Sequence, residues 1–492
     1  MFRKITITSL ALSAITATFA TSLHAQSKNA TLVGTFPSTS GGANDVWGFE
    51  DPTTGKPYCM FLTTAGTYIL DVSNPATPIN RGYFAASLSG WRTSTWRDAK
   101  YWKGYGYIVT ESGGGMQILD LRNPDSPSYV TTYNPTNITW RNTHNIALDF
   151  QTGYVYCCGT GSGMHIIDVD STPGTPKYIT TWSSPYIHDL DIRDGYAHVA
   201  YIYSNQYAIL DVSKLPTITQ VGIASAPGSQ YCHNNWATDD GLYSVTTNEA
   251  SAGPIGIWDC SNKAAPKLIS SYKANPTTAP TAIPHNAYIL DYVIHASYYT
   301  EGYRCVDMSD PTKPVEVGYY DTYAGASGGY NGNWGCYPFA RSGIQYISDR
   351  STGLYLVKPL ASAKRYGNGT KGSNGKVPHV HLKGAGFLGN GNFGIGVRDA
   401  KASSAAVYLI GGKPANLNAG GLEILVELVN PPALVLTAPT DATGKSFVGL
   451  PVPNDLTLNG AQINLQALCV DAGSSALDLS GSEGLEFTLF QN

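Results

Sequence analysis

The chain has 492 residues, with 35 acidic against 31 basic side chains and a formal net charge of −4. It is 42% hydrophobic, which excludes overall disorder, and only 13% charged, with 53 Gly, 29 Pro and 33 Tyr filling the deficit. Gly and Pro break helices and aromatics favour strands, so this composition points to an all-β, turn-rich chain of two or three domains and argues against a coiled coil, a helical bundle or a basic nucleic-acid binder.

At the N-terminus, Arg3 and Lys4 precede a modest apolar stretch, and Leu23-His24-Ala25 sets a small residue before a cut that would leave Gln26 first. The stretch is too short and too polar to cross about 30 Å of hydrocarbon. Residues 1–25 are therefore expected to be a secretory signal, and the protein to be secreted or displayed at the cell surface. No later stretch is apolar enough to be a membrane-spanning helix. Export permits disulfides, but the eight Cys match no zinc spacing, and their pairing does not follow from the sequence. Cys157 and Cys158 are adjacent, so on a strand they face opposite sides.

Residues 26–361 are governed by an internal repeat. Its copies are Gly66-Thr-Tyr-Ile-Leu-Asp71, Gly115-Met-Gln-Ile-Leu-Asp120, Gly163-Met-His-Ile-Ile-Asp168, Gln206-Tyr-Ala-Ile-Leu-Asp211, Pro254-Ile-Gly-Ile-Trp-Asp259 and Gly302-Tyr-Arg-Cys-Val-Asp307. Their Asp residues are 49, 48, 43, 48 and 48 positions apart. A polar turn with Pro follows, as in Asp310-Pro-Thr-Lys-Pro314, and then another strand, as in Val315-Glu-Val-Gly-Tyr-Tyr320. A seventh copy, Gly353-Leu-Tyr-Leu-Val-Lys358, has Lys in place of Asp.

A second element precedes each copy with the same period. It reads Asn44-Asp45, Arg97-Asp98, His144-Asn145, His188-Asp189, His233-Asn234, His285-Asn286 and Asn333-Trp334, followed by a hairpin turn and an aromatic strand. Each unit thus holds four short antiparallel strands, and seven such units predict a seven-bladed β-propeller. The last unit lacks a fourth strand. Thr31-Leu-Val-Gly-Thr-Phe36 resembles the fourth strand Val315-Glu-Val-Gly-Tyr-Tyr320, so it is expected to close the ring on the last blade.

The Ile-Leu-Asp-Val-Ser-Asn-Pro and Ile-Leu-Asp-Leu-Arg-Asn-Pro units resemble LVIVD repeats. Trp334-Gly-Cys-Tyr-Pro338, Ser342-Gly343 and Ser348-Asp349 through Gly353-Leu354 resemble the final blade of the choice-of-anchor B family. The resemblance covers residues 30–360. It implies a secreted or surface-displayed bacterial propeller with a variable C-terminal attachment, and it brings no catalytic residue set. The chain departs from that family in having no cell-wall sorting motif or terminal hydrophobic tail.

Residues 362–375, ending in Tyr366-Gly-Asn-Gly-Thr-Lys-Gly-Ser-Asn-Gly375, are expected to be a Gly-rich linker open to proteolysis. Residues 376–492 alternate apolar and polar residues between closely spaced turn signals, which predicts a small β-sandwich. The run from Tyr366 to Gln466 resembles a C-terminal module of exported planctomycete-like bacterial proteins, whose role there is unassigned.

The paired element is the only candidate site that the repeat supports. His144, His188, His233, His285, Arg97, Asp98 and Asp189 are expected to face the central channel. Two roles compete for them. They bind a metal or an acidic ligand, or they bond across to neighbouring blades because buried polar groups need partners. Recurrence in most blades favours the structural role, with ligand binding second. Glu111, Glu249 and Glu301, just before the third strand of their units, are expected to be solvated. His379 and His381 share one face of a strand expected at the surface. Trp91, Trp96, Trp140 and Trp182 are candidates for stacking on sugars.

No nucleotide-binding glycine motif and no GxSxG elbow is present. The sequence assigns no catalytic residue and no cofactor. The favoured function is an extracellular binding scaffold for a protein or carbohydrate ligand. The alternative is an extracellular hydrolase or lyase acting at the channel mouth.

Overall fold

The structure, a computed structural model, describes residues 26–275 and 277–492. The secretory signal expected at residues 1–25 lies outside the described residues. No described helix is long and apolar enough to cross a membrane.

Residues 27–359 form seven antiparallel sheets with a common plan. The first contains Ala43–Glu50, Pro57–Thr63, Gly66–Asp71 and Ile79–Ala85 in that order. The next five repeat this order along the chain, and the sixth gains Ser27–Lys28 as a fifth strand beside Val315–Tyr320. The seventh takes Asn333–Tyr337, Gln345–Asp349 and Gly353–Pro359 from the end of the repeat and Ala30–Pro37 from the start of the chain. Its register runs from Ala30 opposite Pro359 to Pro37 opposite Gly353. The expected closing strand therefore pairs where its sequence placed it. At Gly34 a Cβ would stand 2.0 Å from the Pro75 carbonyl oxygen, so only glycine lets this strand lie against the first sheet's turn.

Two sequence features have direct physical causes. The repeated Asp starts the polar turn: Asp71, Asp120, Asp168, Asp211, Asp259 and Asp307 each accept the backbone N–H two residues on. Each pairing of third and fourth strands also carries a register shift. Such bulges add twist, and here they recur from sheet to sheet.

The first strands pack side by side, sheet to sheet, and Asn333–Tyr337 packs on Ala43–Glu50, so the circuit closes on itself. These innermost strands are buried almost throughout; Cys232–Ala237 and Asn333–Tyr337 have no exposed residue. Cys157 and Cys158 face opposite sides, packing with Ile146 and Ile167 and with Ile166 and Leu190 respectively. All eight cysteines are free and buried.

Residues 364–488 form a six-stranded sheet, a three-stranded sheet and a hairpin. Val380, Ile395 and Val397 of the small sheet share a core with Tyr408, Leu465 and Phe487 of the large one. The stretch expected to be a free linker is held down instead. Lys364–Tyr366 pairs with Gly484–Thr488, Thr370 bridges Gly481, and the N–H groups of Asn368 and Gly369 donate to Glu423. The reason is that Gly and Asn here serve turns that pack on the module, not an unstructured tether.

This module is also tied to the repeat sheets. Arg365 bridges Asp291 at 3.3 Å and Glu483 at 2.7 Å. The N–H of Leu382 donates to the Asp291 carboxylate and that of Ala385 to Asp307. We therefore expect limited proteolysis to spare residues 362–375 in the native chain. Arg365→Ala leaves two carboxylates without their cation, which should cost about 3 kcal/mol and open that stretch to cleavage, read by the fragment pattern and the unfolding midpoint.

Candidate functional site

Each histidine of the repeat stands at or just before the start of an innermost strand, fixed there by the hairpin with the second strand. The backbone N–H of His144 donates to Cys158 at 3.0 Å, that of His188 to Ala200 at 2.9 Å and that of His285 to Ser297 at 2.8 Å. Equivalent placement in consecutive sheets sets the rings on one another like steps. Centroids are 4.1 Å apart for His144 and His188, 4.2 Å for His188 and His233, and 4.6 Å for His233 and His285. Trp334, at 4.3 Å from His285, ends the series.

The Nδ1 atoms bind sideways. His188 Nδ1 lies 3.1 Å from the His233 carbonyl oxygen, and His285 Nδ1 lies 2.5 Å from the carbonyl oxygen of Trp334. His144 Nδ1 lies 2.6 Å from Glu111 Oε1. A carbonyl oxygen only accepts, so His188 and His285 carry their proton on Nδ1 and leave a lone pair on Nε2. The carboxylate of Glu111 likewise accepts from Nδ1 of His144. His233 Nδ1 turns to the His285 carbonyl without a well-formed hydrogen bond, and its Nε2 lies 3.4 Å from Glu249 Oε2. Burial, then the neighbouring imidazoles, hold His188 and His233 well below the usual imidazole range. Burial does the same at His285. These three rings are neutral at pH 7.

Glu111 and Glu249 are not the solvated loop residues expected. Glu111 holds His144, and Glu249 packs beside His233 while accepting the Tyr299 hydroxyl. Burial raises the Glu249 carboxyl above its ordinary value. Glu301 is buried too, 3.7 Å from Arg304. Gly159 permits the crowding at His144: its φ is +68°, and a Cβ there would stand 2.2 Å from that of His144. A void of about 20 Å³ beside the rings is lined by Asp45, Asp98, His144, His233 and His285, among others.

One step along the same strands lies a belt of carboxylates and amides. Asp98 accepts the N–H of Ile146 in the next sheet at 2.9 Å, Asn234 that of Ala287 at 2.9 Å, and Asp191 that of Ala237 at 3.0 Å. Asp189 accepts from the Asn234 side chain at 2.7 Å. The buried Lys100 ammonium lies 2.9 Å from Asp98 and 4.3 Å from the Trp47 ring centre. Burial pushes Asp189 up to about 7 and Asp191 up to about 6. Burial and the Asp98 carboxylate together raise Asp45 well above its ordinary range. Lys100 and Asp191 were not singled out from sequence, although both fall on the same strands as the pair.

Arg97 departs from the expected ring. Its guanidinium turns into the preceding sheet, donating to the Thr63 carbonyl at 2.9 Å and to Thr67 Oγ1 at 3.3 Å. The longer side chain reaches past the position that an imidazole fills. His379 pairs with Glu483 at 2.8 Å and His381 is half-buried, so their strand is not a plain surface strand. Of the four candidate tryptophans, Trp91 and Trp140 are buried, Trp182 is half-buried and Trp96 is exposed.

The two ends of the channel differ. Loops entering the first strands and joining the second to the third share the histidine end, and there Trp96, Tyr203, Tyr231 and Tyr330 are exposed. At the other end Trp47, Trp236 and Phe339 pack together, and a cleft of about 1020 Å³ separates them from the C-terminal module.

The LVIVD repeat matches residues 63–85 and 301–322. Among curated proteins there is no match. The crystal structure of RRP9 WD40 repeats superposes with a TM-score of 0.50 at 8% identity, over 68% of this chain and 99% of that one. The structure of U3-55K gives 0.49 at 8%, over 67% and 98%. At such identity the likeness speaks to fold alone, and the repeat region is a β-propeller carrying LVIVD repeats.

The bonds from one sheet to the next predict a cost for losing an imidazole. His285→Ala should cost about 1–3 kcal/mol at pH 7.5 by stranding the Trp334 carbonyl. The folded imidazole resists protonation, so below pH 6.5 the unfolded chain binds a proton that the folded chain does not, and wild-type stability falls. The variant lacks this loss. The gap between the two should narrow on acidification by up to about 1.4 kcal/mol per pH unit, as measured by denaturant unfolding at several pH values.

Proposed function

We propose that the protein is a secreted or cell-surface binding scaffold that captures an extracellular protein or glycan on its histidine-side face. In this reading the seven sheets are the blades of a choice-of-anchor B propeller, and the C-terminal sheets are a β-sandwich module of the kind found on exported planctomycete-like bacterial proteins. The propeller fold supports an interaction role, since its loops project from a rigid ring.

The observation that carries the proposal is the set of exposed rings on that face: Trp96 at 45%, Tyr203 at 79%, Tyr231 at 38% and Tyr330 at 47%. Tyr and Trp supply large contact areas at little conformational cost, and their faces suit sugar rings as well as peptide. The opposite end faces the module across the cleft of about 1020 Å³, and the histidine side is the face that the module leaves uncovered. The void of about 20 Å³ at the histidines admits a water or an ion but no organic substrate, which weighs against a hydrolase or lyase at that mouth.

A glycan array and pull-downs from surface-protein fractions test this. The intact chain should capture a defined ligand, and the triple variant Trp96→Ala, Tyr203→Ala, Tyr330→Ala should weaken capture at least about tenfold, or about 1.4 kcal/mol. Its unfolding midpoint should stay close to wild type because these side chains are exposed. Capture that survives the triple substitution would sink the proposal, as would an intact chain that binds neither class.

A further inference from the structure

We propose that the histidine end of the channel binds one divalent transition-metal ion of the zinc class, held by the imidazoles of His144, His188 and His233 and leaving a coordination position open. One ligand atom from each of these side chains lies within 4.8 Å of the other two. Tetrahedral ligands about 2.1 Å from zinc stand about 3.4 Å from one another, so the three side chains draw closer on binding the ion. The three residues come from consecutive sheets, each anchored by its own hairpin.

The chemistry of the rings points the same way. His144 and His188 each commit Nδ1 outward, to a carboxylate and to a carbonyl. That is how a metal-binding imidazole is normally oriented, with the far N–H donated and the near lone pair offered to the ion. The described residues give no hydrogen-bond partner to Nε2 of His144, His188 or His285. The rings at 188, 233 and 285 are buried, and neighbouring imidazole lone pairs suit a cation.

A pocket the size of one water or ion adjoins two of the three ligands, His144 and His233. Imidazole selects zinc, copper or nickel over calcium and magnesium. Glu249 and His285 form a second group with His233 within the same 4.8 Å. The Glu249 carboxyl balances charge beside the ion, and neither residue is a primary ligand. A metal here is independent of the aromatic face proposed above as the ligand-capturing surface.

The test uses the mature chain, residues 26–492, purified without a histidine tag and stripped with chelator. It is titrated with Zn²⁺, desalted and measured by elemental analysis, with Co²⁺ absorption as a second readout. We expect about one zinc per chain, not displaced by excess Mg²⁺. His144→Ala is the first variant, because that ring is the least buried of the three and its side chain is held only through Glu111. It should keep the wild-type circular dichroism and weaken binding by at least the roughly 10–100-fold that loss of an outer partner costs. His233→Gln should do the same, whereas His379→Gln in the module should bind as wild type. A folded wild-type chain that retains no zinc would overturn the site. Retention by folded His144→Ala, with loss in Glu249→Gln, would overturn the ligand set.

Discussion

A hydrogen bond that leaves one sheet and ends on the next holds this propeller together at its axis. Antiparallel pairing satisfies each blade internally, but it does nothing to join blade to blade. Along the innermost strands that task falls to short polar side chains. Asp98, Asn234 and Asp191 each accept an N–H from the following sheet, while His188 and His285 donate to a carbonyl there. Burial makes each of these bonds costly to leave unmade, and that explains why polar residues recur at positions that hydrophobicity alone would fill with valine.

The same bonds divide the imidazole into two ends with different duties. Nδ1 is spent on architecture, and Nε2 is left facing the other rings. A structural role and a ligand-binding role therefore do not exclude one another here. The first fixes the tautomer and orientation that the second requires, and both follow from a single placement repeated over four sheets. The polar belt beyond the histidines, with Lys100 among the carboxylates, carries the axis on to the aromatic cluster of Trp47, Trp236 and Phe339. The C-terminal module is tied on at that far end through Arg365 and Asp307.

Much of this was legible from the chain itself. The spacing of the repeated Asp, the spare strand at residues 31–36 and the equivalence of the four histidines all rest on periodicity, which survives without knowledge of contacts. What was missed depends on contacts between distant positions. Glu111 meets His144 across 33 residues, and Glu249 meets Tyr299 across 50; an acid before a third strand looks solvated until the neighbouring sheet is in place. Arg97 shares the histidines' repeat position, yet its length carries its charge into another sheet. Residues 362–375 are rich in Gly, as linkers are, and only the pairing of Lys364–Tyr366 with Gly484–Thr488 shows them to be part of the module.

The central claim is that structure and binding share one imidazole, with the proton on Nδ1 and the lone pair on Nε2. Nitrogen NMR of chelator-treated protein labelled with ¹⁵N-histidine tests it directly, with each ring assigned through its own His→Gln variant. The account predicts that His188 and His285 are neutral at pH 7.5 and protonated on Nδ1, the less common tautomer in water. Finding these rings protonated on Nε2, or charged at that pH, would contradict it.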